Sequence, residues 1–177
     1  DVVKGWNIIA GILPNEAITA DSQIKASDIK AVWYYAPDLK KYIQIHPNLD
    51  MSAQIDDDVA LTSAMWVYSD KAGRLKYSTL EDYMPLDLRQ FSSGYNFFTI
   101  TPDIEGLTFE DIGGGCNIEK IFGWDSSVQN WVVFPLDEDF HKDTMGLGLI
   151  VKVSSDCTLN KPSESNGVSP PPIIPSC

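Results

Sequence analysis

Apolar, β-branched and aromatic residues recur along the chain in short strand-like segments separated by turn-forming residues. The first such segment lies within residues 2–12. A hairpin follows, with strands at residues 31–35 and 41–45 around Ala36-Pro37-Asp38, a combination that suits a type I turn. A last strand covers residues 64–68. This pattern predicts a small β-sheet.

The same order of segments occurs a second time at a nearly constant spacing. Gly94-Tyr95-Asn96 follows Gly5-Trp6-Asn7 by 94 − 5 = 89 residues, and a second hairpin, residues 120–124 and 130–134, keeps that spacing. The last strand of the second copy, residues 148–153, follows its counterpart by 148 − 64 = 84 residues, which indicates a shorter loop. Repetition at a fixed spacing predicts two copies of one unit.

The sequence therefore predicts a mainly β protein with two tandem homologous small units that pack together. Each unit has a short helical turn between its first strand and its hairpin. The units are expected at residues 1–80 and 93–159, joined by a connector at residues 81–92. Residues 160–177 are rich in Pro and Ser and are interpreted as a linker or tail.

Composition excludes several classes of partner. The net charge is −12, and the 13 Lys and Arg residues are scattered, whereas binding to nucleic acid or to an anionic membrane surface requires clustered basic residues. No run of about 18 apolar residues occurs, so the sequence predicts no membrane span within this chain. Acidity favours solubility and cationic partners.

The motifs of common enzyme classes are absent from the sequence. His46 and His141 are the only histidines, and neither belongs to a His-Glu-X-X-His arrangement. There is no Gly-X-Ser-X-Gly elbow, and Gly113-Gly114-Gly115 is not followed by Lys-Ser or Lys-Thr. The sequence thus predicts a protein that is not an enzyme and has no cofactor. A glycosidase-type carboxylate pair stays open, because its separation in space is not fixed by sequence.

The cysteines are distributed unequally between the two copies. Cys116 and Cys157 lie in the second copy, where the first copy has Ser27 and, approximately, Gly73. Presence together in one copy and absence together in the other predicts a disulfide, worth about 3–4 kcal/mol by chain entropy. The alternatives are two reduced thiols, or pairing of Cys157 with Cys177. If Cys116 and Cys157 are bonded, Cys177 is left over and is a candidate for a link between two chains. A persistent disulfide indicates a location outside the reducing cytosol.

Aromatic residues of the two hairpins form a candidate ligand-stacking surface, because residues two apart on a strand share a face. Flat rings on one face can pack against pyranoses. The alternative is that these rings form cross-strand pairs and fill the core. The candidate residues are Trp33, Tyr35, Tyr42, Trp124 and Trp131.

Two acidic loops are weak candidates for calcium binding. One contains Asp56, Asp57 and Asp58, and the other contains Asp137 and Asp139. Clustered carboxylates can supply the oxygen ligands that Ca²⁺ prefers, although neither loop follows the EF-hand pattern. The alternative is a solvated charged loop with no metal.

Three landmarks resemble a β-rich module of large archaeal and some bacterial cell-surface and pilin-like proteins. They are the Gly-aromatic-Asn strand openings, the aromatic hairpins and the ending Gly-X-X-Val-Lys-Val-Ser-Ser-Asp-Cys-Thr-Leu at residues 148–159. The resemblance covers residues 4–70 and 93–159. It implies a display or assembly role outside the cytoplasm and brings no catalytic residues.

We therefore expect a non-enzymatic extracellular structural module, either a cell-surface layer component or a subunit of a surface filament. Edge strands at Val2-Val3 and Ile173-Ile174 could add to a neighbour's sheet, so the expected partners are further copies or neighbouring surface proteins. The alternative is a carbohydrate-binding accessory module of a secreted hydrolase, with a polysaccharide as its ligand.

Overall fold

A computed structural model of the 177-residue chain describes residues 1–11, 18–47, 55, 62–76 and 84–160. Described residues up to 76 are called unit one and those from 84 onward unit two. The strands are β1 (Gly5–Ala10), β2 (Ile29–Ala36), β3 (Lys41–His46), β4 (Ala64–Ser69), β5 (Gln90–Phe91), β6 (Gly94–Thr99), β7 (Ile118–Asp125), β8 (Asn130–Val133), β9 (Gly148–Val153) and β10 (Cys157–Thr158). A short helix, α1 (Phe109–Ile112), lies between β6 and β7.

Each unit contains a four-stranded antiparallel sheet, and the two sheets have the same topology. The strand orders are β1-β4-β2-β3 and β6-β9-β7-β8. Pairing is also equivalent, because Gly5 lies opposite Ser69 in unit one and Gly94 lies opposite Val153 in unit two. The predicted mainly β architecture of two similar packed units is therefore confirmed.

The Gly-aromatic-Asn opening has the same structural role in both units. The Asn7 side chain accepts a hydrogen bond from the Val3 backbone N–H and donates to the Val3 carbonyl, both at 3.0 Å. Asn96 makes the equivalent pair of bonds with Ser92, at 2.9 and 2.8 Å. Both asparagines are buried, so their amides replace water in fixing the turn that enters the first strand.

Alternation along each central strand directs side chains to two different layers. In β4, Val67 faces the core of unit one, whereas Trp66 faces unit two. In β9, Val151 faces the core of unit two, whereas Ile150 faces unit one. Because both faces of each sheet are covered, these strands are apolar on both sides rather than half polar.

Unit two contains elements that the sequence did not reveal. The two-residue strands β5 and β10 pair with each other, so the end of the predicted connector belongs to this unit. The Cys116–Cys157 disulfide joins the segment after α1 to β10, with the two Cα atoms 5.2 Å apart. The predicted pairing is thus present. The helix α1 begins with a capping box between Thr108 and Asp111.

The N-terminal segment is not a free edge. Val2 is buried, and its backbone exchanges two hydrogen bonds with Gly73, each at 3.0 Å. The Val3 N–H is bonded to Asn7. The expectation that Val2-Val3 is available to a neighbour's sheet is therefore wrong, because these backbone groups are satisfied within unit one.

Candidate functional site

The two sheets face each other across a layer of mostly aromatic side chains, called the aromatic seam. Its buried centre contains Ile8, Ala64, Phe97 and Ile150. The sheets are in tight contact at Gly148, where an added Cβ would lie 2.3 Å from both the Ala64 Cβ and the Ile8 Cγ2. Gly148 and Ala64 are equivalent positions of the two units, so the contact is close to symmetric.

A first cavity of about 450 Å³ opens at one side of the aromatic seam. Its walls meet at steep angles: the Trp6 and Trp66 rings are 5.9 Å apart at 79°, and the Trp66 and Trp124 rings are 5.0 Å apart, also at 79°. Edge-to-face contacts of this kind hold aromatic rings in fixed relative positions. The cavity is lined by Trp6, Trp33, Tyr42, Trp66 and Trp124.

A second cavity of about 480 Å³ lies beside the first, and Tyr42 lines both. Every residue of the first cavity has its repeat counterpart in the second: Trp6 corresponds to Tyr95, Trp33 to Phe122, Tyr42 to Trp131, Trp66 to Ile150 and Trp124 to Tyr35. The aromatic seam thus presents two quasi-equivalent cavities with different side chains. The second is lined by Tyr35, Tyr42, Tyr95, Phe97, Phe122, Trp131 and Ile150.

Hydrogen bonds between the units hold the first cavity in place. The Trp124 Nε1–H donates to the Trp6 carbonyl at 2.8 Å. The Gln129 amide accepts from the Trp6 N–H and donates to the Trp6 carbonyl, both at 2.9 Å. Gly5 makes this approach possible, because its φ is +116° and an added Cβ would lie 2.8 Å from the Gln129 Oε1. The hairpin of unit two therefore fixes β1 of unit one.

Two ionisable groups near the aromatic seam have shifted pKa values that keep them in their ordinary charge states at neutral pH. Burial raises the pKa of the Tyr35 hydroxyl, and the neighbouring Tyr42 and Tyr95 hydroxyls add to the effect, so Tyr35 is neutral. Hydrogen bonds from the Ser127 hydroxyl and backbone N–H, at 2.6 and 2.9 Å, lower the pKa of Asp125. The Asp125 carboxylate therefore stays charged and holds the turn that carries Gln129.

The second candidate surface is the β8 edge, defined as residues 130–133 at the margin of the sheet of unit two. All four of its residues are exposed, and the exposed fraction of Val133 is 76%. Five of the ten exposed large hydrophobic side chains in the described part of the chain lie on it or beside it. They are Val128, Trp131, Val132, Val133 and Leu136.

The β8 edge also directs backbone groups outward. The Phe134 N–H donates to the Ile121 carbonyl at 3.0 Å, so the backbone groups of Phe134 point toward β7. The backbone groups of residues 132 and 130, two and four positions earlier, point the same way. Since orientation alternates in an antiparallel pair, the N–H and C=O groups of Trp131 and Val133 point away from β7. The Trp131 N–H is bonded only locally, to the Asn130 Oδ1 at 2.9 Å.

Two other sheet margins are protected. The β1 backbone at Trp6 is bonded to Gln129, and the Ala10 N–H donates to the Gly146 carbonyl at 2.8 Å. At the other margin of unit one, β3 begins at Lys41 and follows Lys40, and lysines discourage strand addition. The β8 edge carries no lysine.

The structure places the predicted aromatic residues together. Trp33, Tyr42 and Trp124 line the first cavity, and Tyr35 and Trp131 line the second. Sequence reasoning missed Trp6 and Trp66, although each is followed in its strand by a residue whose side chain points to the opposite face of the sheet. It also missed the β8 edge, because nothing in the sequence shows which hairpin strand ends a sheet. Whether the rings bind a ligand stays a prediction.

The acidic and cysteine candidates are only partly visible. Asp56, Asp57, Asp58 and Cys177 lie outside the described residues. Asp137 and Asp139 are exposed. Within residues 1–11, 18–47, 55, 62–76 and 84–160, no group of three His, Cys, Asp or Glu side chains is placed to hold a metal ion.

Because comparisons with known proteins suggest no function, a functional proposal depends on the geometry of the site. No protein family, curated protein or solved structure matches the chain. In the part of the chain that the structure describes, no helix is long and apolar enough to cross a membrane.

Proposed function

We propose that the chain is a non-enzymatic extracellular structural module that assembles with further copies of itself through the β8 edge. The observation that supports this proposal most is the combination of exposed β-branched side chains and outward backbone groups on one unprotected strand. Unpaired sheet edges of this kind add strands from other chains unless charge, proline or a bulge prevents it.

An antiparallel pair of β8 strands satisfies the geometry. With a two-fold axis at Val132, Trp131 faces the partner's Val133, and both residues direct their N–H and C=O groups outward. Each pair exchanges two backbone hydrogen bonds when the Trp131 N–H leaves the Asn130 Oδ1 for the partner's carbonyl. Val132 then lies opposite the partner's Val132. Trp131 also lines the second cavity, so the paired strands would extend the aromatic seam.

Charge makes this association weak at low ionic strength. Each copy carries a net charge of −12, and exposed Asp137 and Asp139 follow the β8 edge. In the antiparallel arrangement they approach the turn of the partner, where Asp125 is charged. Salt screens such exposed charges, so association is expected to strengthen between about 0.1 M and 1 M NaCl.

The extracellular assignment rests on the Cys116–Cys157 disulfide, because disulfides persist mainly in oxidising compartments. The carbohydrate-binding alternative depends on the aromatic seam. Among the described residues that line its two cavities there is no amide, carboxylate or guanidinium to bond sugar hydroxyls. This lining, together with the exposed β8 edge, favours assembly over polysaccharide binding.

Val133→Lys is expected to abolish self-association and leave the monomer intact. A lysine at this outward position opposes strand addition, whereas a change at a side chain that is 76% exposed alters the free energy of unfolding by less than about 0.5 kcal/mol. Sedimentation equilibrium over a range of protein concentrations measures the effect. Cys177→Ser in all samples excludes dimers linked by that thiol.

Val128→Lys is the matched control, because Val128 is 66% exposed but lies in the turn before β8. It adds the same charge and is expected to retain self-association. A parent chain that stays monomeric at millimolar concentration in high salt would contradict the proposal. Equal loss of association in the two valine variants would contradict the assignment to the β8 edge.

A further inference from the structure

The first cavity is an open cleft with aromatic walls, called the aromatic cage. Four tryptophans and one tyrosine line it, and the Trp6–Trp66 and Trp66–Trp124 ring pairs each meet at 79°. In a perpendicular pair, the ring that makes contact through its edge keeps both faces uncovered by its partner. The geometry is held by hydrogen bonds from Trp124 and Gln129 to Trp6, so the cage is formed before any ligand enters.

The side-chain chemistry of the cage selects cations. The face of an aromatic ring carries negative electrostatic potential, and tryptophan attracts cations most strongly. Among the described residues that line the cage there is no lysine or arginine to occupy it from within the chain. A primary ammonium group would lose its N–H hydrogen bonds to water there, whereas a quaternary ammonium group has none to lose.

The charge of the whole protein acts in the same direction. A net charge of −12 raises the local concentration of small cations and disfavours anions. The second cavity is less suitable, because Trp131 is the only tryptophan among its described lining residues, whereas four tryptophans line the first cavity.

We propose that the cavity lined by Trp6, Trp33, Tyr42, Trp66 and Trp124 binds a quaternary ammonium cation of the choline type by cation–π contacts. The second cavity does not bind it, so the stoichiometry is one per chain. This site is separate from the β8 edge, and either proposal can fail without the other.

Intrinsic fluorescence provides a direct assay, since all five tryptophans of the chain line the two cavities. Choline and tetramethylammonium are titrated into the whole chain, with calorimetry to fix the stoichiometry. The neutral carbon isostere of choline is the matched ligand, because it has the same shape and no charge. The expected result is saturable binding of one choline, weakened about tenfold in the isostere by loss of a cation–π contribution.

Variants at exposed rings locate the site without disturbing the core. Tyr42 is 49% exposed, so Tyr42→Leu is expected to fold and to weaken choline binding about tenfold or more, while Tyr42→Phe keeps the ring and retains binding. Tyr95→Leu is the control, because Tyr95 is similarly exposed, at 46%, but lines only the second cavity.

Four results would overturn the inference. The first is the absence of saturable binding of both cations. The second is equal affinity for choline and its neutral isostere, which would show a purely apolar pocket. The third is that Tyr95→Leu weakens binding as much as Tyr42→Leu does. Binding of soluble oligosaccharides in place of choline would also overturn it and would favour a carbohydrate-binding module.

Discussion

Replacing Gly148 by valine is expected to lower the free energy of unfolding by about 3 kcal/mol or more. Gly148 lies at a tight contact between the two sheets, and even a methyl group there would lie 2.3 Å from both the Ala64 Cβ and the Ile8 Cγ2. Neither neighbour is the far end of a flexible chain, so the sheets must separate. Urea denaturation followed by circular dichroism gives the change in free energy.

Gly115→Val is the matched control for this substitution. No atom lies within 4 Å of a Cβ added at Gly115, so the same side chain meets open space there. A smaller change, Gly148→Ala, allows a compensation test with Ala64→Gly, because the two positions face each other. The double variant is expected to recover part of the stability, since the Ile8 contact remains. Equal effects of valine at positions 148 and 115 would contradict the close approach of the sheets.

Removing the disulfide with Cys116→Ser and Cys157→Ser together is expected to cost about 3–4 kcal/mol of unfolding free energy, or roughly 10 °C in Tm. The bond closes a loop with a sequence separation of 41 residues and fastens β10 against β5. Hydrogen exchange should show loss of protection concentrated in unit two. Reduction of the parent chain should reproduce the shift.

Cys177→Ser serves as the control, because the observed disulfide does not include Cys177. It is expected to leave Tm unchanged. Free thiols at positions 116 and 157 in protein from its native source would contradict both the bond and the extracellular assignment. An unchanged Tm in the double serine variant would contradict the stabilising role of the loop.

Much of the fold could be predicted from the sequence because the repeated residues have specific structural roles. Gly5 and Gly94 adopt positive φ values, +116° and +107°, and the asparagine two residues later clamps the turn in each unit. A positive φ at glycine and a side-chain amide two residues later therefore recur at the spacing of the repeat. The register of the strands then follows from equal hairpin lengths.

The features of the fold that the sequence did not reveal depend on contacts between segments that are distant along the chain. Strands of two residues, such as β5 and β10, give no periodic signal, and they form because the disulfide and the core bring them together. In β4, Trp66 and Val67 are both apolar, so alternation could not show which layer faces the other unit. The difference between a protected Val2 and an exposed Val133 likewise depends on neighbours that only the fold supplies.

The measurement that tests the central claim most directly is a nuclear Overhauser experiment on the indole rings of the whole chain. The central claim is that the two units pack face to face through the aromatic seam, which places the Trp66 and Trp124 rings 5.0 Å apart. Cross-peaks between these rings are predicted, and they should disappear in Trp66→Leu. Sharp, fully assigned indole signals without any cross-peak between Trp66 and Trp124 would contradict the account.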